Sequence, residues 1–448
     1  MPSICFVLLS CCILADDSPG QAVISGRIRR PTTQKEETAA PLGGIYVFGT
    51  QEGQSKLPLV HRSWDAEPMG WYRLAGRPGK YNLLATNPAC FTRPIVLQDV
   101  HAETGQNKCD VGFHADYAVF AEGDWDRRPA EAYYQPFIAR GRSVTQVGFK
   151  LAHDGVDGFG PGSQDFELSI CRMDAGQPKD WQRIGPAVPV PGVDCGGGKN
   201  RAWSAGWDSR EVALEPGKSY AVCLKARLPF QAFCEPCSDA AVCCYRRGAK
   251  GAWERSGFRL WMSVATDDDG LVVPYNKRVH REYGEFAGFG HKWSQTYVAQ
   301  GDSLAGVVLY AAVGGTQPPL GRQRVAIRVR RDGPSGPLVG VEKVALGNGN
   351  YTGDASWGVF GAAFVRGEVP LVAGTTYAVE IETLETPETL RGFVNLKGHA
   401  SDERPGFNPY RKIPPDKYER GTAYRDGHDP VDFDLDMQII EFVTRAPR

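Results

Sequence analysis

The chain has 448 residues, 42% of them hydrophobic, enough to bury sizeable cores and too many for a disordered polymer. Lys and Arg (51) nearly balance Asp and Glu (52), giving a formal net charge of −1 with no Lys/Arg block. That balance excludes the basic stripe a nucleic-acid or anionic-membrane partner would select.

The 53 Gly and 32 Pro punctuate short apolar runs, and no long helical pattern occurs, so the expected class is all-β. Size and spacing predict three β-sandwich domains, a small leading one followed by a tandem pair. Residues 1–15 read as an export signal. Ile4 to Leu14 is apolar, and Ile13-Leu14-Ala15 resembles a cleavage site, although Met1-Pro2-Ser3 lacks the usual positive charge. This run is too short to cross a bilayer, and no later stretch approaches about 20 apolar residues. The expectation is a secreted or cell-surface protein without a transmembrane segment.

Residues 20–113 alternate polar and apolar positions in short strands. Val23-Ile24-Ser25-Gly26-Arg27-Ile28 is followed by Pro41-Leu42-Gly43-Gly44-Ile45-Tyr46-Val47, then Gly70-Trp71-Tyr72-Arg73-Leu74 and Pro78-Gly79-Lys80-Tyr81-Asn82-Leu83. Pro78-Gly79 is a turn signal, Pro pre-setting its own φ and Gly accepting the positive φ that follows. These motifs, the Pro-Gly-x-Tyr hairpin above all, resemble the carboxypeptidase regulatory-like domain, a transthyretin-like sandwich. The resemblance implies an accessory domain of a secreted protein and no peptidase activity, since that family's domain carries no catalytic residues.

The remainder is a duplication, with copies expected at 117–275 and 276–448. Gln135-Pro136-Phe137-Ile138-Ala139-Arg140-Gly141-Arg142-Ser143-Val144 is echoed 160 residues later by Gln295-Thr296-Tyr297-Val298-Ala299-Gln300-Gly301-Asp302-Ser303-Leu304. Gly217-Lys218-Ser219-Tyr220-Ala221-Val222 is echoed by Gly374-Thr375-Thr376-Tyr377-Ala378-Val379 at an offset of 157. Order and spacing held over so long a stretch mark a repeat. At the same offset Trp207 aligns with Phe364, Val212 with Val369 and Leu214 with Leu371, most economically as core residues. Near the end, Asp432-Phe433-Asp434-Leu435-Asp436-Met437-Gln438-Ile439 predicts one strand. Its Phe433, Leu435, Met437 and Ile439 would face the core, and its three aspartates would face away. This strand rhythm, with Gly421, Tyr424 and Gly427, is similar to jelly-roll carbohydrate-binding-like modules of secreted bacterial proteins.

Gly301-Asp302-Ser303-Leu304 matches the signature of a lipase and esterase family in which that serine is the nucleophile. The duplicate Gly141-Arg142-Ser143-Val144 turns it into a shared turn, and no His follows an Asp at the required spacing. Cysteine usage is lopsided. Cys90 and Cys109 are a natural pair in the leading domain, and the other seven beyond the signal fall in the first copy. In an exported chain Cys234, Cys237, Cys243 and Cys244 read as disulfides, being too closely spaced for a structural zinc. Asp429, Asp432 and Asp434 are candidate ligands for a structural calcium, which needs several hard oxygens; the plainer alternative is a solvated turn. Trp203, Trp357, Tyr410, Tyr418 and Tyr424 fall outside the alternating strands and could stack on pyranose faces if loops present them; packing under a long loop is their bland alternative.

The functional expectation is a non-enzymatic binding or adhesion protein whose ligand is a polysaccharide. Its alternatives are an inert spacer of a cell envelope and a glycan hydrolase or lyase. The last needs two carboxylates about 5 to 10 Å apart, and spacing nominates none.

Overall fold

The computed structural model describes residues 20–29, 45–51, 59–63, 71–86, 94–112, 116–119, 124–125, 128, 130–152, 164–174, 177–193, 201–248, 251–267, 270–277, 285–287, 292–314, 324–346, 348–349, 356–384, 393–400, 420–431, 433–435 and 437–444. Among these residues the chain is built of strands, with the short 3-10 turn Pro178–Asp180 and no α-helix. The architecture is all-β, in several sandwiches.

The leading sandwich pairs Trp71–Gly76, Ala22–Arg29 and Gly105–Lys108 in one sheet, with Val111–Gly112 also on Ala22–Arg29. The facing sheet runs Leu59–Ser63, Ile45–Gln51, Gly79–Thr86, Ile95–Ala102. The period-2 pattern sends Ile24, Val47, Tyr72, Leu74, Tyr81 and Leu83 between the sheets. Phe48 and Leu84 point the other way and are nonetheless fully buried, which the sequence does not anticipate.

The two following modules share the order of their main strands. In the first, one sheet runs Gln182–Val193, Gln164–Arg172, Ser219–Pro236, Ala130–Ile138, Tyr245–Arg247, Trp253–Arg255. The second module repeats that order with Lys343–Leu346, Arg324–Arg331, Thr376–Thr383, Lys292–Val298, Ala423–Arg425, Asp429–Pro430. The opposing sheet of the first is Tyr117–Val119, Met262–Thr266, Val144–Ala152, Arg201–Gly206. That of the second is Leu271–Lys277, Met437–Phe442, Ser303–Gly314, Ser356–Ala363. Ser219–Pro236 is long enough to leave one sheet and join the other; its counterpart is two strands, Thr376–Thr383 and Phe393–Ala400. Register is duplicated too: Phe137 faces Tyr220 and Tyr297 faces Tyr377.

The aligned aromatics Trp207 and Phe364 are each fully buried in their own cores, with Val212, Val369, Tyr220 and Tyr377 beside them. Both tyrosines also clamp a turn. Tyr220 Oη accepts the Glu215 N–H at 2.8 Å, and Tyr377 Oη accepts that of Val372 at 3.0 Å. Between clamp and strand sit Gly217 and Gly374, at φ of +82° and +85°, a conformation that disfavours any side chain.

Two expectations need correction. The strand foreseen over 432–439 is two, Phe433–Leu435 on Phe393–Ala400 and Met437–Phe442 on Ser303–Gly314. Of its outward positions, Asp434 is 4% exposed and Gln438 1%, and Asp432 and Asp436 lie outside the described residues. Secondly, Leu271–Lys277 spans the boundary expected at 275/276, and its partner, Met437–Phe442, lies in the second module.

The modules themselves are packed together, which explains the buried outer faces. Phe48 and Leu84 of the leading sandwich form a cluster with Ala305, Val308, Ala363, Ile440 and Phe442 of the last. Gly361 makes room there, since a Cβ at that position would lie 2.6 Å from the Phe48 ring. Gln98 ties the same seam, its Nε2 donating to the Phe364 carbonyl and its Oε1 accepting the Arg366 N–H. The seam between the duplicated modules is polar. Asn276 donates from its backbone to Asp208 Oδ1 and from Nδ2 to the Thr145 carbonyl, while its Oδ1 accepts Gln438 Nε2. Ser209 exchanges bonds with Val273 and accepts Gln300 Nε2 through its carbonyl.

Candidate binding cleft on the first module

The Gly-x-Ser turn is a structural device in both copies. Ser143 Oγ accepts the Arg210 N–H at 2.7 Å, and Ser303 Oγ accepts the Gly367 N–H at 2.7 Å. Ser303 is 2% exposed and its hydroxyl hydrogen is given to the Val369 carbonyl, so it has neither access to a substrate nor a base to take its proton there. The turn's amides are capped differently in the two copies. Thr266 Oγ1 accepts the Gly141 N–H and Asp267 Oδ1 those of Arg142 and Ser143. In the second copy Glu441 Oε2 accepts the N–H groups of Gln300 and Gly301 at 2.8 and 2.6 Å. Burial pushes the Glu441 carboxyl up to about 7 against the opposing pull of those two amides.

Among the described residues the aromatic candidates lie in strands. Trp203 lies in Arg201–Gly206 opposite Phe149, and Trp357 in Ser356–Ala363 opposite Ala312. Tyr424 is half-buried in Ala423–Arg425, opposite Ser294; Tyr410 and Tyr418 lie outside the described residues. Alternation in these two tryptophan strands is masked in the sequence by glycine and alanine, which carry little pattern.

The acidic candidates point to separate partners. Asp429 pairs with Arg425 at 3.7 Å and with His428 at 3.6 Å, on an exposed hairpin. Asp434 accepts Gln295 Nε2 at 3.0 Å inside the module, and Asp432 lies outside the described residues. Among the described residues no three His, Cys, Asp or Glu converge as a metal site would require.

The described cysteines, Cys109, Cys234, Cys237, Cys243 and Cys244 among them, carry free thiols in this structure, whereas the sequence points to bridges; Cys90 lies outside the described residues. Strand register separates their roles. Cys234 sits opposite Leu260 and Cys244 is buried against Ser256 Oγ at 2.9 Å, both in the core of the first module. Cys237 and Cys243 belong instead to the loop that follows the long strand. The Cys243 thiol donates to the carbonyls of Asp239 and Cys237 at 3.1 and 3.3 Å, and the Cys237 thiol to that of Asp239 at 3.3 Å.

This loop walls a cleft of about 630 Å³, within the usual size of a small-molecule site. Its other walls are the end of Ala130–Ile138, the turn at Arg140, and Asp116. The loop is anchored from below by Gln135, whose Nε2 donates to the Val242 carbonyl at 2.9 Å. Asp239 stiffens it by accepting the Ala241 N–H, and Asp116 accepts the Arg140 N–H at 2.6 Å and the Thr266 hydroxyl. Beneath the rim Arg259 is neutralised by its ion pair with Glu235. Ile138 is 58% exposed at the mouth, an apolar face beside polar groups that are already held in place. Such a site can hold a neutral, hydroxyl-rich ligand by one apolar face and a few directed hydrogen bonds. Sequence reasoning did not find Asp116, Ile138, Arg140 or Asp239; the one signal was the clustering of cysteines in the first copy alone.

No protein-family profile and no curated protein matches the chain. Solved structures with similarity include a putative carbohydrate-binding protein from Bacteroides uniformis, 12% identical, covering 54% of this chain and 95% of that one, at a TM-score of 0.20. A DUF3823 family protein from Bacteroides ovatus is 10% identical, covering 44% and 97%, at 0.16. The CBM22-1–CBM22-2 tandem domain of Paenibacillus barcinonensis Xyn10C is 10% identical, covering 91% and 95%, at 0.17.

Proposed function

We propose that this is a secreted or surface-associated, non-catalytic binding protein whose ligand is a carbohydrate, taken up in the cleft of the first duplicated module. The supporting observation is the make-up of that cleft: an exposed aliphatic wall at Ile138 beside Asp116, Arg140 and Asp239, two of whose carboxylates are held by backbone amides. Carboxylates already engaged in this way orient hydroxyl groups rather than shuttle protons. The leading sandwich, whose motifs resemble a carboxypeptidase regulatory-like domain, serves as an accessory clamped to the last module through Phe48 and Leu84.

Affinity electrophoresis of the whole chain through a panel of polysaccharides tests this reading, with reducing-end release assayed in parallel. Retardation by one polymer without product is expected, abolished by Ile138→Asp and weakened by Arg140→Ala. Retention by none would leave the spacer reading, and release of new reducing ends would make the protein an enzyme.

A further inference from the structure

We propose that Cys237 and Cys243 are an oxidisable pair, joined by a disulfide that cross-links the rim of the cleft. Both thiols donate to one atom, the Asp239 carbonyl oxygen, so the sulfurs can be no further apart than the sum of 3.3 and 3.1 Å allows. The backbone already brings the two residues together, because the Cys243 N–H bonds the same Asp239 carbonyl and the Cys243 thiol reaches back to the Cys237 carbonyl. Closure therefore needs rotation about side-chain bonds, which a disulfide's fixed dihedral demands in any case. Cys237 is half-exposed on the cleft wall, whereas Cys243 is buried beneath it. That asymmetry assigns the order of events.

A small-molecule disulfide supplies the oxidising equivalent. The Cys237 thiolate attacks one of its sulfurs, breaking that S–S bond and expelling one small thiol. Cys243 gives up its proton to solvent and attacks the Cys237 sulfur of the mixed disulfide, expelling the second small thiol. Two protein thiols become one S–S bond, and the oxidant is reduced to two thiols. Burial, with the neighbouring Cys237 thiol adding to it, pushes the Cys243 thiol up to about 11, so Cys243 is the slow, resolving partner and Cys237 the point of entry. Cys171 and Cys223 stand apart from this chemistry: both are buried and pushed up by burial, and neither lines the cleft.

Oxidation of the native chain with oxidised glutathione, followed by alkylation and peptide mass mapping, tests the pair without reference to any ligand. The expected product is one peptide spanning Cys237 and Cys243 that has lost two hydrogens and escapes alkylation. In Cys243→Ser the mixed disulfide should persist on Cys237, detected as added glutathione, and Cys237→Ser should take up none at Cys243. A bridge from either residue to Cys234 or Cys244, or full alkylation of both after oxidation, overturns the proposal. The chemical readout stands whether or not the cleft holds a carbohydrate.

Discussion

Gln135 and Gln295 occupy the same place in two sandwiches, each fully buried and each bonded in the same way. Gln135 Oε1 accepts the Leu260 N–H at 2.8 Å, and Gln295 Oε1 accepts that of Leu435 at 2.9 Å. Each Nε2 donates to the carbonyl of the following residue, and each makes one further bond, to the Val242 carbonyl or to Asp434. A side-chain amide thus stitches a short strand, Phe258–Leu260 or Phe433–Leu435, to the facing sheet. Gln295→Leu keeps the volume but orphans the Leu435 N–H and strips Asp434 of a donor. It should cost about 1–3 kcal/mol for the orphaned amide alone, read by urea denaturation. A loss below about 0.5 kcal/mol would show that the amide is decoration.

What the sequence disclosed follows from which forces leave periodic marks. The duplicated Gln, Gly, Ser and Tyr were visible because each satisfies a local geometric need that recurs at a fixed offset: Gln135 a core amide, Ser143 a turn cap, Tyr220 a clamp. The module seams were invisible. Gln438 and Phe48 alternate as solvent-facing positions should, and the approach of another surface buries them. The cleft was invisible for a related reason, since Asp116, Arg140 and Asp239 come from three separate turns that share no spacing.

Phe48 is the side chain on which attachment of the leading sandwich depends. It is fully buried against the last module, where Gly361 faces its ring. Phe48→Ala should cost about 3–5 kcal/mol, the usual range for a buried phenylalanine. More tellingly, calorimetry should split one melting transition into two as the leading domain uncouples. Gly361→Val should act alike by forcing the ring aside. A single undivided transition in both variants would mean that the seam carries no coupling energy.

The serine of the Gly-Asp-Ser-Leu stretch is buried and bonded within the turn it supports. Ser303→Ala removes the acceptor of the Gly367 N–H and should lower stability by about 1–2 kcal/mol. Ser143→Ala should do the same through the Arg210 N–H. Hydrolysis of a p-nitrophenyl ester series should be at buffer background for wild type and both variants alike. Turnover by wild type that Ser303→Ala abolishes would reverse this assignment.

Glu441 gives the second duplicated module a pH response at its turn, where the amide of Gly301 is capped by this carboxyl and that of the equivalent Gly141 by the Thr266 hydroxyl. Its carboxyl is pushed from an ordinary value of 4.5 up to about 7, chiefly by burial. Between those values the folded chain holds a proton that the unfolded chain releases, so raising the pH through this window removes stability. The contribution is fully present below about 4.5 and is lost above about 7, with an upper size of about 3 kcal/mol from 1.36 kcal/mol per unit. Glu441→Gln mimics the protonated acid: its amide oxygen can still accept the Gln300 and Gly301 amides, and it cannot ionise. Urea unfolding from about pH 5 to about pH 8 should therefore show wild type losing stability relative to the variant as pH rises, so that Glu441→Gln is the more stable protein at the alkaline end. Parallel profiles for the two proteins would mean that Glu441 stays ionised in the fold, held by its two amides against the cost of burial.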